Sequence, residues 1–165
     1  MENYIVINGR KAELTEEQLK ALGLVTETES PFDRVEKGKT YYAIAGTGNI
    51  GEWNDHRNQT DDSCYDVANY CTDREILQQQ AYREKLNRLL WRYSMEHDGN
   101  NLDWKSKVKR KCTIQYNHDR NEFRGSRVYT VEYVGSVTFA TMEIAENAIK
   151  EIVEPFMAEH PDFKF

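Results

Sequence analysis

The sequence predicts an α+β protein: an N-terminal β-hairpin and a short helix, followed by two similar units of antiparallel strands and then a helix. The main observation is a repetition along the chain. In each unit a strand-like stretch leads through a turn to a second short strand and then to a helix that begins at a threonine. The matching pairs are residues 40–44 with 111–116, 67–70 with 136–139, and Thr72 with Thr141. The predicted segments are 1–38, 39–103 and 104–165.

Composition favours a well-packed protein of a reducing cytoplasm. The 165 residues suit one domain or two small halves that share a core, and 39% of them are hydrophobic. No apolar run approaches the length of about 20 residues that a membrane span needs. Residues 1–9 have an acidic start and only a short apolar run, so they do not predict a signal peptide. The three cysteines, Cys64, Cys71 and Cys112, are predicted to be reduced and mostly buried.

The N-terminal segment carries hairpin and capping signals. Strands are predicted at residues 4–7 and 11–14, joined by Asn8 and Gly9, a pair that suits a tight turn. A short helix at 16–22 should follow. Its signals are a capping box of Thr15 with Gln18, a hydrophobic staple of Leu14 with Leu19, and the stop residue Gly23. Residues 25–39 are predicted to be a connector.

The first unit is predicted to contain a strand at 40–44, a turn at 46–49 and a return strand at 48–53. Residues 54–62 are polar and predict an exposed loop, and 67–70 predict another strand. The longest helix should run over about 73–96. Its predicted start is a capping box of Thr72 with Glu75 and a staple of Cys71 with Ile76. Its predicted inner stripe is Ile76, Leu86, Leu89, Leu90 and Tyr93.

The second unit shows a cleaner pattern. Residues 118–121 predict a turn, and 128–133 are rich in the β-branched and aromatic residues that favour a strand. The last helix has the strongest periodic signal of the chain, with Pro155 placed to kink or shorten it. Its apolar positions are Ile144, Ala145, Ala148, Ile149, Ile152, Val153, Phe156 and Met157.

Charge is distributed unevenly. Residues 104–127 hold eight basic residues against Asp119 and Glu122, a balance of +6, whereas the remainder has 14 basic and 26 acidic residues, a balance of −12. The basic residues are Lys105, Lys107, Lys109, Arg110, Lys111, Arg120, Arg124 and Arg127. Two interpretations stay open. They form either a surface that binds phosphates or acidic groups, or a charged strand edge that discourages aggregation.

The aromatic residues suggest a binding surface. The chain has more aromatic residues in its predicted strands than one buried sheet face accommodates, and aromatic rings beside arginine are typical of binding sites for proteins and for single-stranded nucleic acid. Cross-strand pairing of rings on a half-covered sheet is the alternative. Trp104, Tyr116, Tyr41 and Trp53 complete the candidate surface with the eight basic residues.

Motifs for chemistry are weak, and no catalytic, cofactor or metal residue is assigned. Residues 46–51 fit a dinucleotide-binding glycine pattern, but no apolar helical stripe follows to receive a pyrophosphate. His118 and Asp119 with Glu122 resemble metal ligands, although turns commonly contain such residues. Asp55, Asp61 and Asp62 resemble a loose acidic cluster of the kind that nucleases use, although solvated acids are ordinary in a polar loop.

Several segments resemble a group of small uncharacterised proteins carried by phages and prophages of gut Firmicutes. They are residues 1–9 with LTEEQL at 14–19, FDRVEKGKTYY at 32–42, VANYCT at 67–72, LNRLLWRYS at 86–94, and 137–157. The resemblance implies a phage accessory protein. Such proteins often bind and disable host machinery, including CRISPR effector nucleases. It assigns no site residue.

Three hypotheses follow. The first is a non-enzymatic inhibitor that binds a host defence protein, best a type II CRISPR effector ribonucleoprotein, whose basic channels an acidic face could occupy as a phosphate mimic. The second is an accessory protein that binds DNA or RNA through the basic stretch. The third is an enzyme acting on a nucleotide, for which a deep pocket at residues 46–51 or at His118 would be the indication. No membrane partner is expected, and the sequence does not define an oligomeric state.

Overall fold

The computed structural model confirms the α+β class, with three small antiparallel sheets and several helices among the residues that it describes. Those residues are Tyr4–Ile7, Arg10–Glu13, Thr15, Gln18 and 30–164.

The predicted N-terminal hairpin is present. Strands β1 (Tyr4–Ile7) and β2 (Arg10–Glu13) pair antiparallel, with Ile7 opposite Arg10. The capping box is confirmed, because the Gln18 amide donates to the Thr15 hydroxyl at 3.3 Å and the Thr15 amide donates to the Gln18 side chain at 3.0 Å. Other expectations lie outside the described residues. They are the Asn8–Gly9 turn, the body of the helix at 16–22, the Leu14–Leu19 staple, the Gly23 stop and residues 25–29 of the connector.

The second hairpin matches its prediction, but the chain after it does not. Strands β3 (Thr40–Ile44) and β4 (Ile50–Asn54) pair with Ile44 opposite Ile50. The expected exposed loop at 54–62 is wrong, since Asp55 is buried and helix α1 (Gln59–Asp66) begins there. Asn58 caps this helix in a capping box with Asp61. The expected strand at 67–70 is also wrong. The chain turns there, with Ala68 in the left-handed region at φ 57°.

Helix α2 (Arg74–Glu96) is the longest element. Its N-cap is Asp73, whose carboxylate accepts from the amides of Glu75 and Ile76, and the predicted cap at Thr72 is wrong. The Thr72 hydroxyl instead donates to the carbonyl of Pro31 at 3.3 Å. The inner stripe is shifted because Ile76 is exposed. Leu89 is half-buried, and the buried apolar positions are Leu77, Ala81, Leu86, Leu90 and Tyr93.

Helix α2 ends at Glu96, as predicted. Asp98 has φ 65°, and a 3₁₀ turn (Gly99–Asn101) follows. A side chain at Gly99 would collide with the hydroxyl and the backbone carbonyl of Ser94. The close approach of these backbones therefore requires glycine at this position.

The third sheet has the order β6–β5–β7, made of β5 (Lys111–Asn117), β6 (Glu122–Val128) and β7 (Thr138–Phe139). The predicted turn at 118–121 joins β5 to β6. The predicted strand at 128–133 is wrong, because only Val128 belongs to a strand and the following residues are exposed. Nothing among the described residues pairs with them to make a ladder.

The C-terminal helix consists of α3 (Met142–Ala148), a π-helical segment (Ile149–Val153) and α4 (Glu154–Glu159). Thr141 caps it as predicted, accepting from the amide of Ile144 at 3.2 Å. Pro155 does not end the helix, which continues to Glu159. The wider π segment ends two residues before this proline, which has no amide hydrogen to donate to the turn before it.

Two clusters of buried side chains form the core. The larger lies between α2, the third sheet and the C-terminal helix and includes Leu86, Cys112, Phe139 and Phe156. The smaller contains Tyr41, Ala43 and Tyr70, with Val35 and Cys64 packed against it. All three cysteines are free thiols, and Cys71 and Cys112 are buried.

The two predicted units share one pairing. Tyr42 forms an antiparallel bridge with Cys71, and β5 pairs with β7 through Cys112 and Phe139. In both units a helix N-cap, Asp73 or Thr141, comes two residues after the paired residue. Cys71 and Asp73 of the first unit therefore correspond to Phe139 and Thr141 of the second. The sequence comparison placed both matches one residue earlier in the first unit. The division into three segments remains a prediction.

Candidate binding surfaces

The predicted basic residues are spread along the β5–β6 hairpin. Lys105, Lys107, Lys109 and Arg110 are exposed in the chain that enters β5, and we call these four the basic loop. Arg120 lies in the turn at the other end and pairs with Glu122 at 3.8 Å. A seven-residue strand separates the two ends by about 20 Å at 3.3 Å per residue. Arg124 and Arg127 are exposed on β6 between these ends.

Lys111 is not part of that surface, which corrects the prediction. Its side chain is buried, and its ammonium donates to the carbonyls of Asp103 at 2.6 Å and Lys109 at 3.1 Å. The same ammonium lies 5.2 Å from the centre of the Trp104 ring. Lys111 therefore holds the basic loop in place instead of presenting its charge to solvent.

The predicted aromatic surface is only partly exposed. Tyr41 is buried in the smaller core cluster, so its expected place on the surface is wrong. Trp53 is 40% exposed and stacks beside Tyr41 with 6.1 Å between ring centres. Trp104 and Tyr116 are half-buried, and Tyr116 contacts Phe123 with ring centres 4.8 Å apart.

Sequence reasoning left an exposed apolar segment beside the basic loop out of the candidate surface. Tyr129, Val131, Tyr133 and Val134 all lie on the surface, and we call residues 129–134 the apolar segment. Val128 is opposite Lys111 in the sheet, so the segment leaves the hairpin at the end where the basic loop enters it. Its alternating β-branched and aromatic residues predicted a strand; only their unpaired exposure identifies them as a candidate contact surface.

Acidic residues line the outer side of the C-terminal helix. Glu143, Glu146, Glu151 and Glu154 are exposed, while Ala145, Ala148, Ile149 and Val153 face the core. We call these four glutamates the acidic helix face. Lys150 is the one basic residue between Met142 and Glu159. From Glu143 to Glu154 the face extends about 16 Å at 1.5 Å per residue.

The expectation of solvated acids at Asp55 and Asp61 is wrong, because both carboxylates are buried and hydrogen-bonded. Asp55 accepts from Arg34 Nε at 2.8 Å, the Tyr70 hydroxyl at 3.0 Å and the Arg57 amide at 2.8 Å. The bond from Arg34, followed by those from Arg57 and Tyr70, outweighs burial and lowers the pKa of Asp55 from 3.8 to about 2. Asp62, the third acid, is exposed and pairs with Arg34 at 2.7 Å.

Asp61 forms the second half of this network. Its carboxylate accepts from the Tyr41 hydroxyl at 2.9 Å and from the amides of His56 at 2.8 Å and Asn58 at 3.2 Å. Burial opposes its ionisation, but these bonds prevail and lower the pKa of Asp61. Burial, and then the bond to Asp61, raise the pKa of Tyr41. The network ties α1 to the second hairpin and to Arg34.

The glycine-containing turn at 46–49 faces a wide groove. This groove, of about 1030 Å³, lies between that turn and α2, and Arg83, Arg88 and Arg92 border it. His118 and Asp119 border a smaller depression of about 340 Å³ with Arg124. Within the part of the chain that the structure describes, no group of three or more His, Cys, Asp or Glu side chains is placed to hold a metal ion.

The same described residues contain no helix with the length and apolar composition needed to cross a bilayer. No protein-family model matches the chain, and no curated protein or solved structure is significantly similar to it.

Proposed function

We propose that this chain is a non-enzymatic protein of a phage or other mobile element that binds and inhibits a host defence protein. The first candidate for the target is a type II CRISPR effector nuclease. The observation that carries the proposal is the acidic helix face, where four exposed glutamates project from a helix whose other side is anchored in the core.

Charge complementarity connects this face to such a target. Nucleic-acid channels of effector nucleases are strongly basic, because they hold phosphate backbones. The four carboxylates extend over about 16 Å, a length of duplex axis along which one DNA strand carries roughly five phosphates. A helix held by Phe156, Val153 and Ala148 presents them rigidly, so little conformational entropy is lost on binding.

A capture experiment tests the proposal. The tagged protein is incubated with lysate of a bacterium that expresses the effector, with and without nuclease treatment, and bound proteins are identified by mass spectrometry. The variant Glu143→Lys/Glu146→Lys/Glu154→Lys should lose the effector. The control Glu36→Lys/Glu52→Lys/Asp66→Lys makes the same charge change at exposed sites elsewhere and should retain it. Equal capture by both variants would contradict the role of the acidic helix face.

A second candidate function is nucleic-acid binding, favoured by the basic loop lying next to the apolar segment. Cations that contact phosphates beside rings that stack on bases are the arrangement used for single strands. Fluorescence anisotropy with labelled single-stranded DNA and RNA, measured over a range of salt concentrations, tests it. Binding that weakens steeply with salt is expected, and no binding at low salt would rule the candidate out.

A further inference from the structure

An apolar cavity borders the larger core cluster and opens to solvent beside Arg83, Asn87 and Gly135. It has a volume of about 330 Å³ and lies between α2, the β5–β6 hairpin and the chain at 135–137. Its apolar walls are Leu86, Leu90, Ile114, Phe123, Val137, Phe139 and Val153.

The size of this cavity suits a small ligand. An engineered apolar cavity of about 150 Å³ is enough to bind benzene, and one of this size has room for roughly ten non-hydrogen atoms at about 30 Å³ each. An apolar ligand gains dispersion contacts with the walls that it packs against. Ile114, Phe123 and Val137 are half-buried, so theirs are the wall side chains that an apolar ligand body can reach.

The polar groups at the cavity define the other end of the ligand. Asn87 is already used, because its side-chain amide donates to the carbonyl of Gly135 at 3.3 Å and fixes the chain at 135–137. The Tyr116 hydroxyl is hydrogen-bonded to Asn121, so Tyr116 contributes its ring to the cavity wall. Arg83 is exposed and has no ion-pair partner among the described residues. Its guanidinium therefore remains available to a carboxylate at the mouth.

We infer that this cavity binds a small carboxylate with an aromatic or branched aliphatic body. The body fills the apolar walls and the carboxylate pairs with Arg83 at the rim. The site is independent of the proposed function, because none of the residues that it uses belongs to the acidic helix face or the basic loop.

Phenylacetate and its neutral counterpart phenylacetamide are suitable probes, since each has ten non-hydrogen atoms. Saturation-transfer NMR detects binding to the full chain, and thermal denaturation measures the accompanying rise in Tm. Phenylacetate should bind more tightly than phenylacetamide. Arg83→Gln should weaken phenylacetate binding about tenfold or more by removing a charge-assisted bond, and should leave phenylacetamide binding unchanged. Arg92→Gln, an arginine of α2 that does not border the cavity, is the charge control.

Two filling variants test the location. Val137→Phe and Ile114→Phe each add volume at a half-buried wall and should abolish binding of both probes. Val108→Phe adds the same bulk at an exposed residue and should change nothing. Thermal denaturation without probe establishes whether each variant folds. One folded filling variant is sufficient to test the location. The inference is overturned if neither probe binds, if a folded filling variant still binds, or if Arg92→Gln weakens phenylacetate as much as Arg83→Gln.

Discussion

Arg34 holds the buried carboxylate of Asp55 through two bonds, from Nε at 2.8 Å and from Nη2 at 3.2 Å. The two residues are 21 positions apart, so the pair closes the connector onto the end of β4. Breaking a buried ion pair by removing one partner lowers the free energy of unfolding far more than breaking a pair on the surface. The unit that contains β3 and β4 is thus stabilised by this ion pair as well as by its few buried apolar side chains.

Asp55→Ala should therefore destabilise the protein by about 3–5 kcal/mol, since it leaves Arg34 and the Tyr70 hydroxyl without their buried acceptor. Urea denaturation followed by circular dichroism measures the free energy of unfolding. Asp62→Ala removes the other, exposed partner of Arg34 and should cost less than about 1 kcal/mol. Equal losses in the two variants would contradict a buried role for Asp55.

Stability should fall in acid over a window set by the same carboxylate. Its pKa is about 2 in the folded protein and 3.8 in the unfolded chain, so folding favours the ionised form. The stabilisation is complete above pH 3.8 and is lost as the pH falls through about 2. Urea midpoints measured between pH 6 and pH 2 should show this loss, and Asp55→Asn should reduce it. If the urea midpoint of Asp55→Asn falls with pH as steeply as that of the wild type, other groups are responsible for the acid sensitivity.

Lys111 should behave as a structural residue. Lys111→Met removes an ammonium that donates to two backbone carbonyls and should lower the free energy of unfolding by about 2 kcal/mol. Lys109→Met, at an exposed position two residues earlier, should be close to neutral. Thermal denaturation of both variants distinguishes these outcomes, and a neutral Lys111→Met would show that its buried bonds contribute no stability.

Any binding to single-stranded nucleic acid should depend on the basic loop. Replacing Lys105, Lys107 and Lys109 by glutamine should reduce the slope of log affinity against log salt by about 2, at roughly 0.7 per phosphate contact. The control replaces Lys37, Lys39 and Lys150, which are exposed elsewhere, and should keep the slope. A slope lowered equally by both triple variants would indicate a general charge effect instead of a site.

The sequence predicted several elements whose signals are local, although the local cap signal at Thr72 was wrong. The Thr15–Gln18 capping box, the Thr141 cap and the turn at 118–121 depend on residues a few positions apart, and they are present. The loop at 54–62 was misjudged because polarity was taken for exposure. Asp55 and Asp61 are buried only because Arg34, Tyr41 and Tyr70 come from distant parts of the chain to satisfy them.

Part of the candidate surface was predictable for the same reason. The basic loop is evident from composition. The burial of Lys111 is not, because it depends on a hydrogen bond to the carbonyl of Asp103, eight residues earlier in the chain. The apolar segment had the composition of a strand, but no strand in the described part of the chain pairs with it. Strand formation depends on such long-range partners, which a local pattern does not specify.

The most direct test of the inhibitor proposal is DNA cleavage by a purified type II CRISPR effector in the presence of this protein. Wild type and Glu36→Lys/Glu52→Lys/Asp66→Lys should inhibit cleavage at equal concentrations. Glu143→Lys/Glu146→Lys/Glu154→Lys should be at least about tenfold weaker, because repulsion from a basic channel replaces attraction. Cleavage that the wild-type protein does not slow, or inhibition that survives reversal of the acidic helix face, would contradict the proposal.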